Sequence, residues 1–402
     1  MQSESERQCH PDPCGLHVRC AIRAHVRLLM LAAVLWVGVA GPTEAQPAGA
    51  SLPASTVAEI DNAVTTFLAK VPAPGLSLAI GLQGALCFER GYGLADLEHR
   101  VPATASTVYR LASVSKPNTA VAAMELVERR RLALEDTVGK WLPELPAALQ
   151  PITVRQLLSH QSGIRHYTAA EDDSTTHYAR HYESLREAVG IFANDPLVHA
   201  PGARMTYSTY GYTLLGVIIE KASGQSYVDA VTQHIFVPAR MGNSAPDDVL
   251  AIVPNRSGGY ARSATGTLRK AAFMDPSYKT PGGGLLSTAG DMVRFGLAVE
   301  SGAIVSAESL ERMTTMETPA GQPPTFYGLG WIVDGWGVPG QPRIPGLAWH
   351  GGVQQGVTTN LYMLRPKHIV VAVMINLEGE GLALTELAAQ ISDIVLAVPR
   401  KP

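Results

Sequence analysis

A chain of 402 residues with 46% hydrophobic and 17% charged side chains carries enough apolar material for a large core, which excludes a disordered polymer. The formal net charge is −3, and Arg129-Arg130-Arg131 is the only basic run. Without a basic block or aromatic–basic interleaving, the composition argues against nucleic acid as a partner.

Near the amino end, Arg19, Arg23 and Arg27 precede an apolar run at 28–41, followed by Pro42-Thr43-Glu44-Ala45. That run is too short for a spanning helix and suits a secretory signal with a small-x-small cleavage site. The expectation is a cleaved signal peptide over 1–45, a Pro/Ala/Ser-rich linker over 46–56 and a single domain over 57–398. The product would be periplasmic or secreted, with no stable membrane span after cleavage. Cys9, Cys14 and Cys20 fall in the removed segment, leaving Cys87 as a core residue of a strand, without a disulfide.

In the domain, Ile60, Val64, Phe67 and Leu68 share one side of a helix predicted over 57–68. Leu76, Leu78, Ile80 and Leu82 alternate with small residues, Gln83-Gly84 turns, and Leu86 and Phe88 alternate again, the pattern of a hairpin with a two-residue loop. Ala120, Ala123, Met124 and Val127 then line one stripe of an amphipathic helix opened by Ser113 and closed by the three arginines, cations at its negative end. Residues 153–271 read as helices joined by Gly/Pro loops, at 154–158, 182–192, 212–222 and 227–236. Strands are predicted at 347–350, 359–364 and 369–375, with a closing helix at 382–398. The expected fold class is α+β, of α/β sandwich type. An antiparallel sheet built from both chain ends, about 57–112 and 272–398, is flanked by helices and carries an inserted, mostly helical lobe at about 113–271.

Ser113-Val114-Ser115-Lys116 carries the first chemical signal. Helix positions i and i+3 share a face, so Lys116 lies beside the Ser113 hydroxyl, whereas Ser115 is too close in sequence to do so. A serine becomes a useful nucleophile when a neighbouring base, such as an amine of lowered pKa, takes its proton. In Tyr207-Ser208-Thr209, a phenolate becomes a competent base if adjacent cations lower its pKa. In His350-Gly351-Gly352, the two glycines let a substrate backbone approach a strand edge, and the next amide, Val353 N–H, is placed to donate to an oxyanion.

In this order the three segments resemble the active-site motifs of the penicillin-binding-protein and β-lactamase superfamily. Further stretches resemble its class C β-lactamase-related serine hydrolases: Leu157-Leu158-Ser159-His160-Gln161-Ser162-Gly163-Ile164, Gly282-Gly283-Gly284-Leu285-Leu286 and Tyr327-Gly328-Leu329-Gly330-Trp331. Ser162 to Tyr167 and Tyr207 to Tyr212 are most similar to the branch of the mitochondrial serine β-lactamase-like protein. The resemblance covers about 57–398. It implies Ser113 as acylated nucleophile, Lys116 as its partner, Tyr207 as the base that returns a proton to the leaving group, His350 where many relatives carry lysine, and the amides of Ser113 and Val353 as oxyanion hole. Thr209, Gly351 and Gly352 fall in the substrate-binding positions.

Two departures bear on substrate. The family's tyrosine motif commonly ends in asparagine, whose amide contacts the acylamide of a β-lactam or peptide, whereas Thr209 offers a hydroxyl. His350 changes charge with pH as a lysine does not. With neither a Ser-Asp-Asn nor a class A glutamate motif, deacylation rests on Tyr207. Lys279-Thr280-Pro281-Gly282 mimics a Lys-Thr-Gly motif but has proline where an edge strand needs a donor. His177 and His181 share a helix face without a His-Glu-x-x-His pattern, so no metal or other cofactor is expected. The pocket is expected to take its specificity from loops around Tyr167, Tyr210 and Gln354-Gln355. The function read from this is an exported serine hydrolase acting through an acyl-enzyme on peptides, including D-amino-acid peptides, or small esters, with weak β-lactam hydrolysis. The alternatives are a true class C-type β-lactamase and an acylated sensor that does not turn over.

Overall fold

The computed structural model describes residues 51–168, 171, 179–335 and 343–398. The signal segment expected over 1–45, residues 46–50 of the expected linker, and His177 lie outside the described residues. Helix α1 (Ala54–Lys70) starts three residues before the expected 57, capped by Pro53, whose fixed φ suits a helix entry.

The hairpin β1 (Gly75–Leu82) and β2 (Ala85–Asp96) is closed by Gln83 and Gly84 at φ 51° and 82°, the paired left-handed conformation that matches strand twist. With β3 (Val101–Pro102), it joins β9 (Ile332–Val333), β10 (Leu347–Gln354), β11 (Val357–Leu364) and β12 (Ile369–Ile375) from the other chain end. The seven strands run in the order β3-β2-β1-β12-β11-β10-β9, and every pairing is antiparallel. This is the expected sheet from both termini.

Strand period sorts its residues into two layers. Leu76, Leu78, Ile80, Val371, Val373 and Ile375 pack with Ile60, Val64 and Phe67 of α1 and with Leu384, Leu387 and Ile391 of helix α7 (Gly381–Leu396). Ala79, Val370, Ala372 and Met374 face the opposite side, with Met292, Val293 and Phe295 of α6 (Ala289–Glu300) and the rest of the core. Helix and sheet approach closely at Gly81, where a β-carbon would stand 2.8 Å from Val293 Cγ1, and at Gly296, where one would stand 2.7 Å from Val370 Cγ1.

On that second side lies α2 (Ser115–Glu128), with every residue from Ser115 to Leu126 buried. The expected amphipathic helix is therefore a central one, walled by small residues such as Ala120, Ala122 and Ala123. Its C-terminal cation is Arg129, paired with Glu125. Against it stand α4 (Thr209–Ser223) and α5 (Thr280–Gly283), and α3 (Val154–Leu158) packs on α4. Because α5 packs on α2 and α4, the helical layer continues beyond the expected boundary at 272.

Part of the region read as mostly helical is strand. β5 (Ala245–Pro246) joins β4 (Tyr109–Arg110) and β8 (Leu285–Ser287), which flank that region, in a small sheet, and β6 (Tyr260–Arg262) pairs β7 (Leu268–Lys270). Strands of two or three residues are too short to display a period. Among the described residues, no helix is long and apolar enough to cross a membrane.

Candidate active site

Ser113 sits in a 3-10 turn (Ala112–Val114) that leads directly into α2. The turn is sharpened by Ala112 at φ 48°, a left-handed conformation that costs a non-glycine residue about 1–2 kcal/mol and presents the serine at the end of the helix. Lys116 follows in the first turn of α2 and is fully buried. Its Nζ lies 3.2 Å from Ser113 Oγ, 3.2 Å from Thr209 Oγ1 and 2.6 Å from the Gly282 carbonyl. It also lies over the rings of Tyr207 and Tyr212, 4.7 and 5.5 Å from their centroids. Burial holds the amine well below its ordinary pKa, and the charge of Lys279 lowers it further.

The Tyr207 hydroxyl faces Ser113, which acts on its ionisation. Burial raises this phenol above its ordinary range, and Ser113 only partly offsets the rise. This corrects the expected phenolate of lowered pKa: the group moved in the useful direction is the lysine. The reason is desolvation, which disfavours the charged form of both groups.

Gly352 packs β10 against the serine turn, since a β-carbon there would stand 2.4 Å from the Leu111 carbonyl and 3.0 Å from the Ser113 amide nitrogen. Thr359 of β11 clamps the same place, donating from Oγ1 to the Leu111 carbonyl at 2.7 Å. Among the described residues β9 pairs only Ala348 and Trp349 of β10, so the edge from Gly351 to Gln354 has no strand partner on that side. Val353, at that edge, is 47% exposed.

His350 is 2% exposed and is oriented by two bonds. Its Nδ1–H donates to the Gly351 carbonyl at 2.7 Å, and its Nε2 accepts from the Tyr327 hydroxyl at 3.0 Å. Burial, with Lys116 nearby, lowers its pKa to about 3. The expected pH-variable cation is thus a neutral ring, 6.4 Å from Tyr207 between centroids. Thr209 is also committed, its hydroxyl to Lys116 and its amide to His166 Nδ1 at 3.2 Å.

Several residues here were given no role by sequence. His160, 1% exposed, lies against Tyr207, Tyr327 and Tyr212, with centroids 4.2, 4.7 and 5.2 Å away. His166 meets Tyr207 edge-on at 5.4 Å. Both histidines, like Tyr327, stand in the segments that carry the resemblance, which was their only signal. The rejected Lys279–Gly282 stretch is no strand, since Thr280 to Gly283 are helical, yet it borders the site through Lys279 and the Gly282 carbonyl. Tyr210, expected at the pocket, is fully buried and stacks on Phe192 at 4.9 Å. Cys87 is remote from this chemistry: its thiol donates to the Ile80 carbonyl, and burial pushes its pKa up to about 11. Among the described residues, the only cluster with metal-ligand spacing is Asp96, Glu98 and His99, which shares no residue with the site. His181 instead pairs with Asp275 at 2.8 Å.

Comparison with known proteins agrees with this geometry. The beta-lactamase family model matches residues 60–395. The chain is 30% identical to the mitochondrial serine beta-lactamase-like protein LACTB of Homo sapiens, over 79% of this chain and 76% of that one. It superposes on the octameric penicillin-binding protein homologue from Pyrococcus abyssi with a TM-score of 0.71 and 29% identity, over 85% of this chain and 77% of that one. The D-amino acid amidase from Ochrobactrum anthropi shares the fold at a TM-score of 0.71 and 24% identity, over 84% of this chain and 99% of that one. The chain belongs to the beta-lactamase family and is a serine hydrolase of that fold.

Proposed function

We propose that this serine hydrolase works through an acyl-enzyme on Ser113, taking small esters and D-amino-acid amides or peptides in preference to β-lactams. The observation that carries the reading is the arrangement around Lys116. A neutral amine has two N–H donors and one lone pair. With the donors given to the Gly282 carbonyl and Thr209 Oγ1, the lone pair faces the Ser113 hydroxyl. Lys116 then takes the hydroxyl proton as Ser113 Oγ bonds to the substrate carbonyl carbon. The amides of Ser113 and Val353 receive the oxyanion. As the tetrahedral intermediate collapses, the scissile bond breaks and its electron pair leaves with the leaving group, which takes a proton from the Tyr207 hydroxyl. The proton held on Lys116 passes back to Tyr207. In the second half-reaction water loses a proton to the same pair, attacks the acyl carbon, and the Ser113–acyl bond breaks with return of the serine proton.

The Thr209 hydroxyl supports the substrate preference: it accepts from Lys116 and has only its own O–H left to offer an acylamide, where an asparagine amide offers a separate donor and acceptor. The likeness to a D-amino acid amidase supports amides of that class. Export with a mature start near Gln46 is part of the proposal and rests on the residues before it.

Fluorophosphonate labelling followed by peptide mapping tests the nucleophile. Steady-state rates on p-nitrophenyl esters, D-alanyl amides and nitrocefin test the preference. An adduct away from Ser113, or nitrocefin turned over far faster than every ester and amide, overturns the reading. Burst acylation without steady turnover on all three classes would identify an acylated sensor. Sequencing the mature amino terminus of a periplasmic product tests export.

A further inference from the structure

We infer that His160 is the positioning residue for Tyr207. The inference rests on the role proposed for that tyrosine in proton transfer. His160 follows the short helix α3 and stands at φ 58°, in the left-handed region. That turn aims its carbonyl and its ring at the same loop. The carbonyl accepts from Thr206 N–H at 2.8 Å, and ring Nδ1 accepts from Ser208 N–H at 3.1 Å. The two amides flank Tyr207 in sequence, so one residue holds the backbone on both sides of it. The same imidazole lies against the Tyr207 ring, with centroids 4.2 Å apart and planes 40° from each other.

The loop alone would not fix this tyrosine. Tyr207 precedes α4, whose N-cap is Ser208. Ser208 Oγ is spent on Gly211 N–H and the Arg165 carbonyl, which anchors the helix start but not the phenol. His160 also rests against Tyr327 and Tyr212. Tyr212 is itself tied to the Leu158 carbonyl at 2.8 Å, and Tyr327 to His350. The imidazole is therefore packed among two braced tyrosines and the phenol that must meet Ser113.

The bond from Ser208 requires an unprotonated Nδ1. The groups facing the ring are Lys116, His166, His350 and the three tyrosines, and none is an anion that would stabilise an imidazolium. Burial holds His160 well below its ordinary pKa and so neutral, which keeps the acceptor.

Asparagine and phenylalanine separate the parts of this role. H160N places an amide oxygen near the Nδ1 position and tolerates the left-handed backbone. H160F keeps a ring against Tyr207 but removes the acceptor. With a p-nitrophenyl ester, H160F is expected to lower kcat by about a hundredfold at a KM within about threefold, the scale of a small misplacement of a reacting group. H160N is expected to recover to within about tenfold of the parent. In a Y207F background, H160F is expected to cost less than about threefold more, because the group it positions is gone. Equal losses in H160N and H160F, losses confined to KM, or a full additional loss in the Y207F background would reduce His160 to a structural residue and overturn the inference.

Ring-nitrogen NMR supplies a readout that does not need turnover. Nδ1 is expected to remain a bare acceptor from about pH 5 to about pH 8, and a proton on Nδ1 in that range overturns the inference. A parent protein that resists fluorophosphonate at Ser113 would overturn the proposed function instead, with the NMR result standing apart.

Discussion

Gly352 of β10 lies so close to the Ser113 turn that a β-carbon on it would come within 3.0 Å of the Ser113 amide nitrogen. The same β-carbon would meet the Leu111 carbonyl at 2.4 Å and Thr359 Oγ1 at 2.6 Å. Two of these three neighbours are backbone, so nothing there yields cheaply. Gly352→Ala is expected to push β10 and the serine turn apart, lowering kcat/KM by about a hundredfold or more. At Gly351, by contrast, a β-carbon would make ordinary contact, 3.4 Å from Trp349 Cζ3 and 3.9 Å from Asn360 Nδ2. Gly351→Ala is therefore expected to stay within about tenfold of the parent. Equal kcat/KM for the two variants would show that the close approach does not set the geometry.

The second prediction concerns Lys279, which is 5% exposed and whose charge helps to keep Lys116 neutral. A positive neighbour disfavours protonation of the amine, so removing it raises the Lys116 pKa. Activity that needs the neutral amine must then appear at higher pH. Lys279→Met is expected to move the acid limb of kcat/KM to higher pH. An acid limb in the same place would mean that desolvation alone sets the base.

The sheet was legible because its strands are long and bury one side chain in two toward each layer. Leu76, Leu78 and Ile80 announce a period of two, and Ile369 to Ile375 a run buried on both faces. The Ser113–Lys116 pair was legible because its spacing is local, three residues along one chain segment. What escaped is built from distant contacts. The Gly282 carbonyl reaches Lys116 across 166 residues and His160 bonds Ser208 across 48, and neither leaves a periodic trace. The direction of the Tyr207 shift escaped for another reason. A cation beside a phenol lowers its pKa, but burial of both reverses the outcome, and burial at a loop cannot be read from Tyr207-Ser208-Thr209.

Acid stability provides a third prediction. An imidazole exposed in the unfolded chain has a pKa near ~6.5. In the fold, His350 is lowered to about 3, and His160 also lies well below its ordinary value. Below pH ~6.5 the unfolded chain binds these protons and the native protein does not. Stability is thus fully present above that pH and is lost as pH falls toward about 3 for His350. Each histidine contributes up to about 1.4 kcal/mol per pH unit in that window. His350→Asn is expected to flatten the dependence of unfolding free energy on pH between about 6 and about 4.5 by about one proton. Denaturant titrations at several pH values measure this, and an unchanged slope would contradict the buried neutral ring.

Ser115 supplies a fourth. It is fully buried, and its Oγ accepts from Leu285 N–H at 3.2 Å, tying α2 to the end of β8. Its place in the structure is therefore that of a tether. Ser115→Ala is expected to keep fluorophosphonate labelling while losing about 1–3 kcal/mol of stability through the orphaned Leu285 amide. Ser113→Ala is expected to lose labelling at unchanged stability. The opposite pattern would exchange the roles of the two serines.

Thr209 decides what the missing asparagine means. If its hydroxyl serves the substrate, removing it should harm acylamide substrates selectively. If it serves Lys116, every substrate should suffer alike. The 3.2 Å contact from Lys116 Nζ to Thr209 Oγ1, at a residue 3% exposed, favours the second outcome. Thr209→Val keeps the shape and removes the oxygen, freeing the amine to turn its lone pair away from Ser113. The expected result is a loss of about tenfold to a hundredfold in kcat for p-nitrophenyl esters, D-alanyl amides and nitrocefin, with the ratios among the three nearly preserved. A variant that loses the amide and the cephalosporin but keeps the ester would return Thr209 to the substrate side of the site.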